Sequence, residues 1–410
     1  MLRALLVLVV LALWGAPVAA QDRAALARQF QGFLASEIWP QARAEGVPRA
    51  IFEAALAGAR PDLDLPGLAL PGTPGPARQH QAEFSAPAAY FRRAAVEGAA
   101  ATGRRMAARH AVALAAAERR TGVPGHIVLA IWGRESAYGA AAIPHDLFRV
   151  LATRAFLDPR AAYYRGELIA ALKVLARGPV PRAAMKSSWA GAMGQPQFMP
   201  SSYLAHAADG DGDGRADIWT SAADTIASIA RYLADHGWVA GRDWGYEVTL
   251  PAGVSCTLEG PDQGRPLAAW EAMGIARVSG RPFPAAERRG PMFLMLPAGR
   301  RGPAFLVTPN FFVLKDYNTS DLYALFVGHV GDRIAFGAGA FRAPWAPLDR
   351  ISRGQIAALQ RGLVARGHDV GGVDGLPGFK TRRAIGRWQE GEGLAPTCFP
   401  DRALAAALAR

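Results

Sequence analysis

Cysteine is nearly missing from this 410-residue chain, which has only Cys256 and Cys398. Neither stands in a C-x-x-C pair, so the usual spacings of zinc and thiol-redox sites are excluded. In an oxidising compartment the two would form one disulfide between a middle and a C-terminal segment. Two unpaired thiols is the equal alternative, because sequence separation says nothing about distance. An excess of acidic residues is also lacking: 46 Lys and Arg face 34 Asp and Glu, a net charge of +12. A basic chain favours polyanions, either nucleic acid or an acidic envelope polymer. Beyond the N-terminus no charge-free apolar run reaches membrane-spanning length. Internal repeats and low-complexity tracts are absent as well, which argues against solenoids and disordered linkers. What remains is the composition of a folded protein, 51% hydrophobic and 20% charged, with length for two to three domains.

The N-terminus narrows the target. Residues 1–20 read as a signal peptide: Arg3 supplies the positive start, residues 4–14 are apolar, and Val18 and Ala20 suit cleavage before Gln21. The alternative is a retained anchor or a buried helix. No cysteine lies near the cut, which argues against a lipoprotein anchor. The expectation is a soluble periplasmic protein, for which nucleic acid is not a target.

Along the chain, residues 21–60 read as helical, with Phe30, Phe33, Leu34 and Ile38 at helical spacing. Residues 61–76 look like an irregular connector. Helical patterns run from about 81 to Gly241. Strand-like runs such as Tyr246–Leu250 and Phe293–Leu296 fall within a segment of about 246–312. Residues 318–336 are helical again, Pro344 and Pro347 mark a linker, and 350–410 form a compact helical tail.

One helix carries candidate chemistry. Pro124 suits its first turn, and Ile127, Ile131 and Glu135 lie on one row at i+4 spacing. A carboxyl aimed at an apolar face has its pKa raised by burial, as a general acid requires. On spacing alone, a Glu paired with Arg134 or solvated at a helix end is the more ordinary reading. The surrounding residues reverse it. The segment Ala130-Ile131-Trp132-Gly133-Arg134-Glu135-Ser136-Ala137-Tyr138-Gly139 resembles the catalytic-glutamate motif of the membrane-bound lytic transglycosylase B family. About fifty residues on, Ser188-Trp189-Ala190-Gly191-Ala192-Met193-Gly194-Gln195-Pro196-Gln197-Phe198-Met199-Pro200-Ser201-Ser202-Tyr203 resembles that family's long signature. Gln81-Ala82-Glu83-Phe84 and Tyr317-Asn318-Thr319-Ser320-Asp321-Leu322-Tyr323 extend the resemblance over roughly residues 25–340.

The resemblance implies a mainly α (α+β) fold: a lysozyme-like helical catalytic domain over 21–343, with a small β-rich insertion at about 246–312. The implied activity is cleavage of the β-1,4 bond between N-acetylmuramic acid and N-acetylglucosamine, the sugar's own C6 hydroxyl closing onto C1. One carboxyl then suffices, whereas water-using glycosidases pair two. The signature blocks contain only Glu135; Asp146 and Asp158 stay open as a second carboxylate. The family's substrate-binding positions fall on Ser188, Gln197, Arg160, Tyr164, Tyr317, Asn318 and Tyr323. Where the family often has two adjacent arginines, Ala161 follows Arg160 here, which weakens the expected grip on substrate carboxylates.

Asp209-Gly210-Asp211-Gly212-Asp213-Gly214-Arg215 has the front half of an EF-hand loop, but Thr220 occupies the twelfth position. The resemblance supplies Asp224 as the closing residue. The expectation is a structural Ca²⁺ held by Asp209, Asp211, Asp213, Arg215 and Asp224, with a metal-free Asp/Gly turn as the alternative and no cofactor for the chemistry. Residues 350–410, with Asp374-Gly375 and Pro377-Gly378 turns, resemble the peptidoglycan-binding-domain-1 module of three helices; a stabilising appendix is the alternative. Expected partners are peptidoglycan glycan strands and wall-synthesis machinery, with the chain a monomer. A hydrolytic muramidase and a non-catalytic wall-binding protein are the competing functions.

Overall fold

The computed structural model describes residues 18–70, 87–349 and 351–408. All of the signal-peptide reading except its last three residues, and the segment Gln81–Phe84, lie outside the described residues.

In chain order the elements are α1 (Val18–Phe33), a π-helical turn (Leu34–Ile38), α2 (Trp39–Ala44), α3 (Arg49–Leu56), α4 (Arg93–Arg109), α5 (Ala111–Thr121) and α6 (Gly125–Ser136). Then come β1 (His145–Asp146), α7 (Leu147–Leu157), α8 (Ala161–Arg177), β2 (Lys186–Ser187), α9 (Pro200–His206) and α10 (Ala222–Asp235). The β-rich region comprises β3 (Gly245–Thr249), β4 (Arg265–Pro266), α11 (Leu267–Ala272), β5 (Ala276–Arg277), β6 (Pro291–Met295), β7 (Pro297–Arg300) and β8 (Ala304–Val307). It is followed by α12 (Pro309–Tyr317), α13 (Asp321–Phe336), α14 (Arg353–Ala365), α15 (Phe379–Gly391) and α16 (Arg402–Leu408). The helical stretch expected over 21–60 is broken near Pro48, which caps α3 at a position where its missing N–H costs nothing.

The chain divides into two compact units. The first holds the described residues up to 70, together with 143–193 and 199–201. Helices α7 and α8 pack on each other and α3 packs on both. Their apolar faces, with Leu65 and Leu68 of the irregular connector, bury Val150 and Leu157. Phe30 and Phe33 meet Phe156 at 5.5 and 5.2 Å between ring centroids. The short antiparallel pair β1–β2 aligns His145 with Ser187 and so fixes the start of the 188–193 loop.

The second unit holds residues 87–142, 194–198 and 202 onward. Its centre is α6, packed by α4, α5, α10 and α13. Every residue from Ile127 to Trp132 is buried. The expected single apolar row is thus part of a helix that is apolar all round, as a central helix must be. The β-rich region forms a five-stranded sheet in the order β4-β6-β8-β3-β5. Its pairings are antiparallel, with Gly245 opposite Val307 and Phe293 opposite Val307 on the two sides of β8.

Helices α14 to α16 close around Ile356, Leu359, Leu363, Ala384, Ile385, Leu404 and Leu408. This module is not a bead on a linker. Cys256 and Cys398 form a disulfide across 142 residues, which resolves the two readings of the cysteines. Both are fully buried in the core of the β-rich region.

Candidate active site

Helix α6 delivers Glu135 one residue before its C-terminus. The chain then turns sharply through three left-handed residues, Ala137, Tyr138 and Gly139, with φ of 50°, 60° and 82°. Two of these carry side chains, which is costly and concentrates at functional sites. Packing shows what holds the turn. The Tyr138 ring folds back onto α6 and meets Trp132 edge-on at 5.4 Å. Gly133 makes room for it: a Cβ there would lie 2.6 Å from the ring and its hydroxyl oxygen. A Cβ at Gly139 would lie 2.6 Å from Gln195 Oε1, and that oxygen accepts the Trp132 indole N–H at 2.9 Å. Gln195 itself donates to the Trp219 carbonyl. The small residues of the first motif and the glutamine of the second thus interlock. Sequence reasoning did not single out Gln195 or Tyr138.

Glu135 Oε1 accepts the Tyr323 hydroxyl at 2.5 Å. Its Oε2 has no hydrogen bond to the described residues. Arg134 is not its ion-pair partner; it donates to the Tyr90 hydroxyl and lies over the Tyr90 and Phe326 rings. Burial pushes the Glu135 carboxyl above its ordinary value, and the Tyr323 hydrogen bond and Arg134 charge only partly offset this. Burial and the adjacent Glu135 charge likewise push the Tyr317 and Tyr323 hydroxyls well above 10, so both remain donors. Tyr317 donates to the Pro196 carbonyl at 2.6 Å, and its ring packs near Phe198. Gln197, also left-handed at φ 54°, donates its amide to the Gly194 carbonyl. Asn318 is exposed, with its side-chain oxygen accepting from Ser320 N–H. One unit therefore gathers Glu135, Tyr323, Tyr317 and the 195–198 turn.

The remaining predicted substrate residues belong to the other unit. Arg160 donates to the Tyr164 hydroxyl at 2.9 Å and lies over its ring. Ser188 Oγ accepts from the N–H groups of Ala190 and Ala192, which leaves its own proton free to donate. A residue missed at the sequence level organises this set. Buried Arg154 pairs with Asp158 at 2.5 Å, donates to the Trp189 carbonyl and sits against the Tyr164 and Trp189 rings. Asp158 is thereby committed as a partner for Arg154 and for Arg160 N–H. Asp146 is committed too, to Arg182 and to the N-terminus of α7. Neither is a free second carboxylate.

In the acidic loop, oxygens of Asp209, Asp211 and Asp213 lie within 4.8 Å of one another. Asp209 accepts from the Gly212 and Gly214 N–H groups, which lower its pKa. Asp213 accepts from Arg215 N–H. Asp224 stands outside this cluster: it is buried, and its two oxygens accept from Gly210 and Asp217 N–H. Its carboxyl braces the loop from within, and burial raises its pKa.

Comparison with known proteins gives a consistent picture. The profile of the family described as Transglycosylase SLT domain matches residues 29–332, and that of a peptidoglycan binding domain matches 352–408. The membrane-bound lytic murein transglycosylase B of Escherichia coli (strain K12) is 32% identical over 219 residues, covering 52% of this chain and 58% of that protein. The match therefore spans a little over half the length of that relative. SltB3 from Pseudomonas aeruginosa, solved in complex with NAG-anhNAM-pentapeptide, is similar at TM-score 0.79 and 38% identity, over 93% of this chain and 99% of that one. Escherichia coli Slt35, solved in complex with calcium, is similar at TM-score 0.53 and 25% identity, over 78% and 93%.

Proposed function

The chain belongs to the Transglycosylase SLT domain family, and on that premise we propose that it is a lytic murein transglycosylase acting on peptidoglycan. One observation carries the reading: burial raises the pKa of the Glu135 carboxyl, Tyr323 holds its Oε1, and its Oε2 makes no hydrogen bond among the described residues. The proton on Oε2 passes to the glycosidic oxygen as the C1–O bond breaks. The C6 hydroxyl of the muramoyl sugar then bonds to C1, and its proton returns to the Glu135 carboxylate. No water is consumed and a 1,6-anhydromuramoyl end is left. An intramolecular nucleophile needs no second carboxylate, because its proximity is built into the substrate. The commitment of Asp146 and Asp158 to arginines supports this chemistry over paired-carboxylate hydrolysis.

Gln197, Tyr317, Asn318, Ser188, Arg160 and Tyr164 are proposed to bind sugars and stem-peptide carboxylates. The C-terminal module is proposed to hold the glycan, raising its local concentration. The site of action is proposed to be the periplasm. The signal-peptide character of residues 1–20, a positive start at Arg3, an apolar run and small residues at Val18 and Ala20, supports this.

The test is mass spectrometry of muropeptides released from purified sacculi. Wild type is expected to leave anhydro ends, and Glu135→Gln to lose about a hundred- to ten-thousandfold in rate. Reducing muramic ends would select a hydrolytic muramidase; equal clearing by both proteins would remove Glu135 from the chemistry.

We also propose a structural Ca²⁺ in the acidic loop. Three carboxylates within 4.8 Å fit a hard cation, and the calcium complex of Slt35 supports the assignment. Asp209, Asp211, Asp213 and the Arg215 carbonyl would hold it, with Asp224 bracing the loop; the ion takes no part in bond cleavage. Calcium at a hundred times its dissociation constant would stabilise the fold by about 2.7 kcal/mol. The melting temperature is expected to rise with Ca²⁺ and fall with chelator, and not to respond in Asp209→Asn. An unresponsive wild type would leave a metal-free turn.

A further inference from the structure

The C-terminal module reaches the catalytic segment through a buried ion network. Arg382 of α15 is 2% exposed and grips Glu259 with two nitrogens, at 2.5 and 3.0 Å. The same guanidinium reaches Asp321 Oδ2 at 3.3 Å. On its other oxygen Asp321 takes Lys315 of α12 at 2.6 Å. Burial pushes the Asp321 carboxyl up, but Lys315 and Arg382 together hold it below the ordinary range, so it is charged. Lys315 and Asp321 therefore close a loop over Asp316, Tyr317, Asn318, Thr319 and Ser320. Two residues beyond Asp321, on the first turn of α13, is Tyr323, whose hydroxyl holds Glu135.

We propose that Arg382 is a positioning residue for catalysis: the peptidoglycan-binding module aligns the Tyr317–Tyr323 segment, and through Tyr323 the proton-bearing geometry of Glu135. The network is not needed simply to attach the module. A disulfide, the Arg301–Asp401 ion pair and the backbone bond from Arg300 N–H to the Thr397 carbonyl already do that. A buried ion pair is also a poor adhesive, since packed apolar residues of the same volume serve as well or better. What the Arg382–Glu259 fork adds is direction, which Arg382 Nη2 carries on to Asp321 through one 3.3 Å contact. The module is then part of the active site's frame as well as a holder of substrate.

This inference rests on the transglycosylase reading. Its test uses the full chain and a short soluble N-acetylglucosaminyl–N-acetylmuramoyl oligosaccharide, comparing wild type, Arg382→Lys, and the double variant Arg382→Met with Glu259→Met. The double variant leaves no orphaned buried charge, because Asp321 keeps Lys315. It strips the Leu296 N–H of its acceptor, so its denaturation midpoint is expected to fall modestly. Turnover is read where the variant is fully folded, with sacculus binding retained. Its kcat is expected to fall about 10- to 100-fold, the scale of a misplaced catalytic group, and KM to rise by less than kcat falls, because Tyr317 and Asn318 lie in the displaced segment whereas Gln197, Ser188, Arg160 and Tyr164 do not. The pH profile gives a second readout. The groups facing Glu135 are Tyr323 of α13, Tyr317 of α12 and Arg134 on its own helix. A slackened Tyr323 bond removes a stabiliser of the carboxylate, so the alkaline limb is expected to move to higher pH. Arg382→Lys keeps the charge without the fork and is expected to fall between. Wild-type kcat and pH limb in the double variant would overturn the proposal. So would a loss of kcat equal to the loss of folded fraction with the limb unmoved. Equal turnover by wild type and Glu135→Gln on this substrate would overturn the transglycosylase reading itself, and this inference with it.

Discussion

Burial raises the Glu135 carboxyl above its ordinary value of 4.5, and the same shift that makes it an acid makes it a cost to the fold. A folded state with a raised carboxyl pKa binds the proton more tightly than the unfolded chain. Its contribution to stability is fully present below the unfolded value, near 4.5, and is lost as pH rises through the folded value. Glutamine in its place keeps the shape and an acceptor for Tyr323 but cannot ionise. Glu135→Gln is therefore expected to be more stable than wild type at pH 7–8, with the difference shrinking as pH falls towards 4.5. Chemical denaturation across that range measures it, and a pH-independent difference would mean that the carboxyl is not desolvated. At this scale the sequence was a good guide to identity and a poor one to circumstance. Glu135 was legible from its motif. Its partner Tyr323 lies 188 positions away, a separation that helical spacing cannot bridge, so the resemblance placed it only near the cleft.

At the scale of elements, α6 ends where it does because Ala137 adopts a left-handed conformation and Tyr138 folds back over Gly133. Two opposed magnitudes decide what an alanine would do at Gly133. Inside a helix, Gly→Ala ordinarily gains about 1 kcal/mol. Here the new Cβ would sit 2.6 Å from the Tyr138 ring. That ring is held edge-on against Trp132 at 5.4 Å, and its hydroxyl donates to the Ala99 carbonyl at 3.4 Å. Overpacking of this kind costs about 1–3 kcal/mol, so the clash outweighs the propensity. Gly133→Ala is expected to lower the denaturation midpoint and to cut kcat more than KM changes, because the displaced turn follows Glu135 directly. A stabilised, fully active variant would show that Tyr138 is not wedged. The i+4 row through Ile127, Ile131 and Glu135 was read correctly as apolar, yet four helices pack around α6 and bury its other faces too. A single sequence reports a helix's residues and not the number of its neighbours. The β-rich insertion was legible as strand-like runs, whereas its five-stranded order rests on pairings between distant segments.

For the whole molecule, the disulfide and the ion network make different contributions to the same junction. Cys256 and Cys398 close a loop of 142 residues, and in the loop-closure picture such a bond stabilises by about 5 kcal/mol by restricting the unfolded chain. That contribution acts on the unfolded state, so losing the bond need not disturb the native one. The paired serine variant, Cys256→Ser with Cys398→Ser, retains Arg382 on Glu259 and Asp321, as well as the backbone bond from Arg300 N–H to the Thr397 carbonyl. Under native conditions it is expected to keep wild-type kcat on soluble substrate while its denaturation midpoint falls markedly, by up to the amount that 5 kcal/mol implies. Reduction of the wild-type protein should reproduce the stability loss. If kcat fell together with the midpoint, the tether itself, and not the charged fork, would be what aligns the Tyr317–Tyr323 segment. The two cysteines alone could not reveal this division of labour, because their sequence separation is silent on distance. It follows from where Cys398 lies, within the core of the β-rich region, and from the neighbouring Arg382 reaching past that region to the first turn of α13.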